Sequence, residues 1–120
     1  MDAAGANEEF PQQWVRVMCD HSADAVWNAR GESCGLDRLP ISSVLREQLR
    51  AWQAWYDAEA PCGSSDDPPF DVQAFSRAGL KLAQEVKREL PVWTVVYFDE
   101  ARLAAEFETG VRAEVQYEIA

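Results

Sequence analysis

The longest apolar run in the chain is Pro91-Val92-Trp93-Thr94-Val95-Val96-Tyr97-Phe98. Its β-branched and aromatic residues predict a buried strand, with Val92, Thr94, Val96 and Phe98 on one face and Trp93, Val95 and Tyr97 on the other. A strand apolar on both sides is expected at the centre of a sheet, covered on both faces. Residues 14–19 predict another strand, with Val15, Val17 and Cys19 toward the core and Trp14, Arg16 and Met18 partly covered. Residues 25–28 predict a short second strand after a turn at His21 to Asp24. The cleanest alternation lies in residues 111–119. Val111, Ala113, Val115, Tyr117 and Ile119 oppose Arg112, Glu114, Gln116 and Glu118, as in a half-wet antiparallel strand.

Between these segments the period changes to that of a helix. Ser42 or Ser43 is placed to cap a first helix running to about Ala58. Leu45, Leu49, Trp52 and Tyr56 form its apolar stripe with Trp55 at the margin, and Arg46, Glu47, Arg50 and Gln53 lie on the wet side. Asp71 is placed to cap a second helix running to about Leu90, with Phe70 and Phe75 at the positions of a hydrophobic staple. Gly79 sits inside that helix, where it costs about 1 kcal/mol relative to Ala; a close neighbouring backbone or Trp ring would account for it. Residues 61–69, rich in Pro, Gly, Ser and Asp, read as a solvated connection. Residues 101–109 read either as a helical turn opened by Asp99 and Glu100 or as a hairpin arm turning at Thr109-Gly110.

The order β-β-α-α-β-β predicts a two-layer α+β domain. Its sheet would be antiparallel or mixed, of three to five strands, with a helical hairpin packed on one face. At 120 residues the chain is expected to hold one domain over residues 14–120, after a frayed, acidic segment at residues 1–13.

Composition narrows the function classes. Acidic residues outnumber basic ones 21 to 11, a formal charge of −10, which disfavours nucleic acid and anionic membranes and favours basic partners. No segment approaches the length of a membrane span, and residues 1–13 carry no secretory signal. The three cysteines, Cys19, Cys34 and Cys62, are odd in number and widely spaced, which fits a reducing cytoplasm.

Several stretches give the chain a resemblance. These are Trp27-Asn28-Ala29-Arg30-Gly31, Leu39-Pro40-Ile41-Ser42, Leu49-Arg50-Ala51-Trp52 with Tyr56, and Phe75 to Leu90 followed by Trp93-Thr94-Val95-Val96-Tyr97-Phe98-Asp99-Glu100. Over roughly residues 14–100 it is similar to a group of small bacterial proteins that look like immunity partners of polymorphic toxins. The resemblance implies a protein-binding role and carries over no catalytic residue.

Candidate chemistry is sparse. Cys19, Asp20, His21 and Asp24 offer metal-capable atoms, but without the paired spacing of a zinc site, so no metal or other cofactor is expected. Cys19 with His21 has the composition of a nucleophile and base but lacks a glycine-rich oxyanion loop. Asp99 and Glu100 follow the central strand, and Asp66 and Asp67 lie in the solvated connection. These four acids and Trp55 are the expected contacts for a partner. The favoured expectation is a non-enzymatic inhibitor of a basic toxin or effector. The alternatives are a small enzyme or ligand-binding domain with a pocket near Cys19, His21, Trp27 and Asp99, and a homodimer formed through the sheet edge at residues 111–119.

Overall fold

Alternate positions of the first strand, Val15 and Val17, are completely buried and Cys19 just beyond it almost so, and this one-sided alternation sets the sheet against the helices. In a computed structural model, which describes residues 8–33, 35–61 and 69–120, the strands are β1 (Trp14–Val17), β2 (Val26–Trp27), β3 (Thr94–Phe98) and β4 (Gln116–Glu118). They form one open sheet in the order β2-β1-β3-β4. The sheet is mixed: β1 pairs antiparallel with β2 and parallel with β3, and β3 pairs antiparallel with β4. With α1 (Ser43–Glu59), α2 (Val72–Glu89) and α3 (Glu100–Thr109), the described residues form an α+β fold of three α-helices and a four-stranded sheet.

The two long helices begin where their caps place them. Ser42 Oγ accepts the Leu45 amide at 3.2 Å, and Asp71 Oδ1 accepts the Ala74 amide at 3.0 Å. Glu89, at the end of α2, accepts the Ser42 amide at 2.6 Å and the Ser42 hydroxyl at 2.8 Å, tying the start of one helix to the end of the other. Arg46 donates to the carbonyls of Leu36, Leu39 and Ile41 and so secures the loop that enters α1. At the core, Trp52 stacks on Phe75 with centroids 4.8 Å apart, and its Nε1 donates to the Phe75 carbonyl at 3.1 Å. A Cβ on Gly79 would fall within the Trp52 indole and against the Tyr97 hydroxyl. The ring contact expected from the sequence is therefore the reason for glycine at this position.

The opposite face of the sheet is covered differently. Trp27, Arg16, Val96 and Glu118 lie in one row across all four strands. Arg16 sits over the Trp27 ring at 5.4 Å and reaches Gln116 on β4 at 3.4 Å, so its stem crosses β3. This accounts for Val96 at only 8% exposure. Burial lowers the Arg16 pKa, and its Nε is buried with no partner among the described residues.

Of the two readings of residues 101–109 the helical one holds: the Asp99 side chain accepts the Ala101 and Arg102 amides at 3.0 and 3.3 Å, and Gly110, at φ 70°, ends the helix. Four expectations need correction. The strand expected at residues 111–119 shrinks to Gln116–Glu118, and Val111 is exposed. Pairing requires a partner strand, and β3 ends at Phe98 opposite Gln116; one further bond, from the Asp99 amide to the Val115 carbonyl, closes the ladder. Val92 is exposed because the chain is still turning after α2 and the strand begins at Thr94. Gln53, expected on the wet side of α1, is buried, and Phe10, expected in a frayed segment, is buried against Trp93 with ring centroids 5.7 Å apart.

Two substitutions test this packing. Gly79→Ala should lower stability by about 1–3 kcal/mol, because the indole and the phenol must shift, whereas the same change at an open helical site would gain about 1 kcal/mol. Urea unfolding followed by tryptophan fluorescence decides it: a midpoint equal to or above that of the wild type would refute the close contact. Ser42→Ala should cost about 1–2 kcal/mol in the same assay, since it removes a helix cap and one of the bonds to Glu89.

Candidate functional site

Because β1 and β3 run parallel, from Trp14 opposite Thr94 to Val17 opposite Tyr97, their carboxyl ends lie side by side. The chain leaves them in opposite directions. β1 turns back into β2, and β3 enters α3 and reaches β4 on the far side. Divergence of this kind opens a crevice at the strand ends. Acidic residues follow both strands: Asp20 after β1, and Asp99 and Glu100 after β3. Asp57 joins them from the last turns of α1, accepting the Ser22 amide at 2.8 Å. Buried Gln53 fixes the arrangement, donating through Nε2 to the Asp20 carbonyl at 2.7 Å and to Asp57 at 3.1 Å.

Beside these carboxylates the end of α1, the start of α2 and α3 enclose a cleft of about 490 Å³. Its walls include Tyr56, Pro61, Phe70, Leu103 and Phe107, and Glu100 is its charged lining residue. Tyr56, Phe70 and Phe75 pack on one another at 5.2–6.3 Å between centroids, which makes this wall firm. Phe107 is 81% exposed at the rim. A second groove of about 530 Å³ runs between α1 and α2 and is lined by Trp52, Trp55, Lys81, Leu82 and Glu85 among others.

Burial and the neighbouring charges of Asp20 and Asp99 push the Glu100 carboxyl up to about 7. Its side chain has no hydrogen-bond or ion-pair partner among the described residues. Burial, reinforced by Glu100, Asp57 and Asp20, also pushes the Cys19 thiol up, which opposes formation of a thiolate. Among the described residues, no group of three or more His, Cys, Asp and Glu is placed to hold a metal ion, and no helix is long and apolar enough to cross a membrane.

The residues singled out from the sequence separate into distinct places. Asp99 and Glu100 stand together at the strand ends, but in different roles. Asp99 caps α3, accepts the Tyr117 hydroxyl at 3.1 Å and pairs with Arg102, while Glu100 faces the cleft. Trp55 is half-buried, edge-on to Phe75 at 5.2 Å, and lines the groove between α1 and α2. Asp66, Asp67, Cys34 and Cys62 lie outside the described residues. The set Cys19, His21, Trp27 and Asp99 does not meet in one pocket. Cys19 continues the buried side of β1, whereas Trp27 shares the opposite face with Arg16 and donates to the Met18 carbonyl at 3.0 Å. His21 is exposed, its ring 4.9 Å from that of Tyr56 and its Nε2 3.3 Å from the Pro61 carbonyl. Sequence reasoning missed the cleft walls, because Tyr56 and Leu103 carry ordinary helical spacing. It also missed Asp20 and Asp57, whose convergence depends on the turn after β1 meeting the end of α1.

A search among curated proteins finds no match. A protein family described as Serratia CdiI immunity protein-like matches residues 13–100, most of the chain. The matched span takes in β1, β2, α1, α2 and β3 and ends at Glu100, so it includes every carboxylate of the crevice. This agrees with the resemblance to immunity partners of polymorphic toxins read from the sequence, and the chain belongs to the Serratia CdiI immunity protein-like family.

Proposed function

We propose that the chain is a non-enzymatic inhibitor that binds a basic toxin domain through the acidic end of its sheet. The observation that carries this reading is the gathering of Asp20, Asp57, Asp99 and Glu100 at the carboxyl ends of β1 and β3, in a chain of net charge −10. The family membership supplies the toxin as the class of partner. Such a field steers a positively charged surface into encounter and orients it on arrival. Much of the chain's own positive charge is engaged internally. Arg46 and Lys87 bond backbone carbonyls, and Arg30, Arg50, Arg88 and Arg102 pair with neighbouring acids. The raised thiol of Cys19 and the placement of Trp27 on the opposite face argue against the enzyme alternative. The edge strand β4 has three residues, a short seam for pairing a second copy.

The test uses the partner captured from native lysate by the purified chain and then isolated. Its association rate should fall steeply as salt rises. Replacing Asp20, Asp66 and Asp67 together by Lys, which reverses an exposed acid of the crevice and spares the Asp99 cap, should slow association at low salt by about tenfold and flatten the salt dependence. A partner that is not basic, or an on-rate indifferent to both salt and charge reversal, would remove the steering argument.

A further inference from the structure

The cleft beside the strand ends has a character that general acidity does not explain. Its walls are aromatic and aliphatic, and among the described residues no Lys or Arg lines it. Glu100 projects into this apolar space, half-buried and without a partner among the described residues. A carboxylate there is poorly hydrated, and Asp20 and Asp99 repel it, so it gains more from an incoming cation than a carboxylate in open water would. Tyr56 and Phe70 present ring surface on one wall, and Leu103 and Ala104 of α3 present aliphatic surface on another. An ammonium ion retains its water tightly. A guanidinium is planar and weakly hydrated, lies flat on aromatic rings and pairs in a fork with one carboxylate.

We infer that this cleft is the docking site for an arginine side chain of the toxin partner, its stem between Tyr56, Phe70 and Leu103 and its guanidinium on Glu100. The inference rests on the inhibitor reading for the source of the arginine. It assigns Glu100 a role distinct from that of the surrounding acids: they steer, and Glu100 anchors. Charge complementarity selects this occupant. An apolar segment would leave the carboxylate buried and unpaired, and an acidic one would be repelled.

The probe is N-acetylarginine amide, with N-acetylcitrulline amide as its uncharged isostere, titrated into the whole chain and followed by amide NMR shifts. Arginine amide should shift Tyr56, Glu100 and Leu103, and citrulline amide should bind about tenfold more weakly or not at all. Glu100→Gln should weaken arginine binding by about tenfold. Ala104→Arg, which supplies a guanidinium from the cleft wall, should exclude the probe while leaving the fold intact. Because Glu100 loses its proton near pH 7, arginine binding should strengthen from pH 6 to pH 8 in the wild type and stay flat in Glu100→Gln. The charged and titratable groups around it are Asp20 and Asp99 at the strand ends, Asp57 and Tyr56 on α1, Cys19 beneath, and His21 against Tyr56. His21→Gln should therefore keep the wild-type profile. Equal shifts with citrulline, undiminished binding in Glu100→Gln, or shifts scattered away from the cleft would each overturn the assignment. Specific arginine binding with no basic partner captured would sink the inhibitor reading and leave the cleft standing. A salt-sensitive partner whose affinity ignores Glu100→Gln would do the reverse.

Discussion

The structure depends on one contact, the seating of the Trp52 indole and the Tyr97 phenol against the bare backbone of Gly79. Trp52 also donates to the Phe75 carbonyl, and Tyr97 donates to the Ser76 carbonyl at 2.8 Å. The Ser76 hydroxyl in turn accepts the Ala101 amide at 2.8 Å. The first turns of α2 thus hold α1, β3 and α3 at once. Both rings satisfy their polar atoms on carbonyls of the same helix, so their large apolar surfaces are buried without an unpaired donor. Burial of Tyr97 with Asp99 nearby raises its pKa, which keeps the phenol a donor.

That junction also positions the cleft beside the strand ends. Because α3 starts directly after β3 and its Ala101 amide is tied to Ser76, Glu100 is placed against the start of α2. The Phe70–Phe75 staple and Tyr56 then become a wall of the cleft as well as part of the core margin. The acids of the crevice come from three separate segments, and no local stretch gathers them. Gln53 is the link between α1 and the turn after β1, a buried polar side chain whose donors are used on that turn and on Asp57. Polar residues buried in this way fix relative placement more than they add stability.

Charge is organised along similar lines. Several basic side chains serve the fold: Arg46 binds three loop carbonyls, Arg16 crosses the sheet, and Lys87 donates to the Trp93 carbonyl at 2.7 Å. Acids with few basic neighbours gather at the strand ends, where Asp20, Asp57 and Glu100 lie close to Cys19.

The sequence by itself determined the local elements. The caps Ser42 and Asp71, the stripes of both long helices, the short strand at Val26–Trp27 and the centrality of β3 all follow from patterns within a few residues, which act before any tertiary contact exists. Gly79 even indicated a close ring, because glycine inside a helix is costly unless something needs the space. Tertiary structure decided everything that depends on a partner in space. The alternation at residues 111–119 was sound, yet most of it is not strand, since β3 ends before those residues can pair. Gln53 looked wet on a helical wheel and is buried because the turn after β1 comes to meet it. Asp99 and Glu100 are adjacent in sequence but differ in fate. One faces the amides of its own helix, and the other faces a cleft whose walls arrive from α1 and α2, a difference that only the packing of those helices could create.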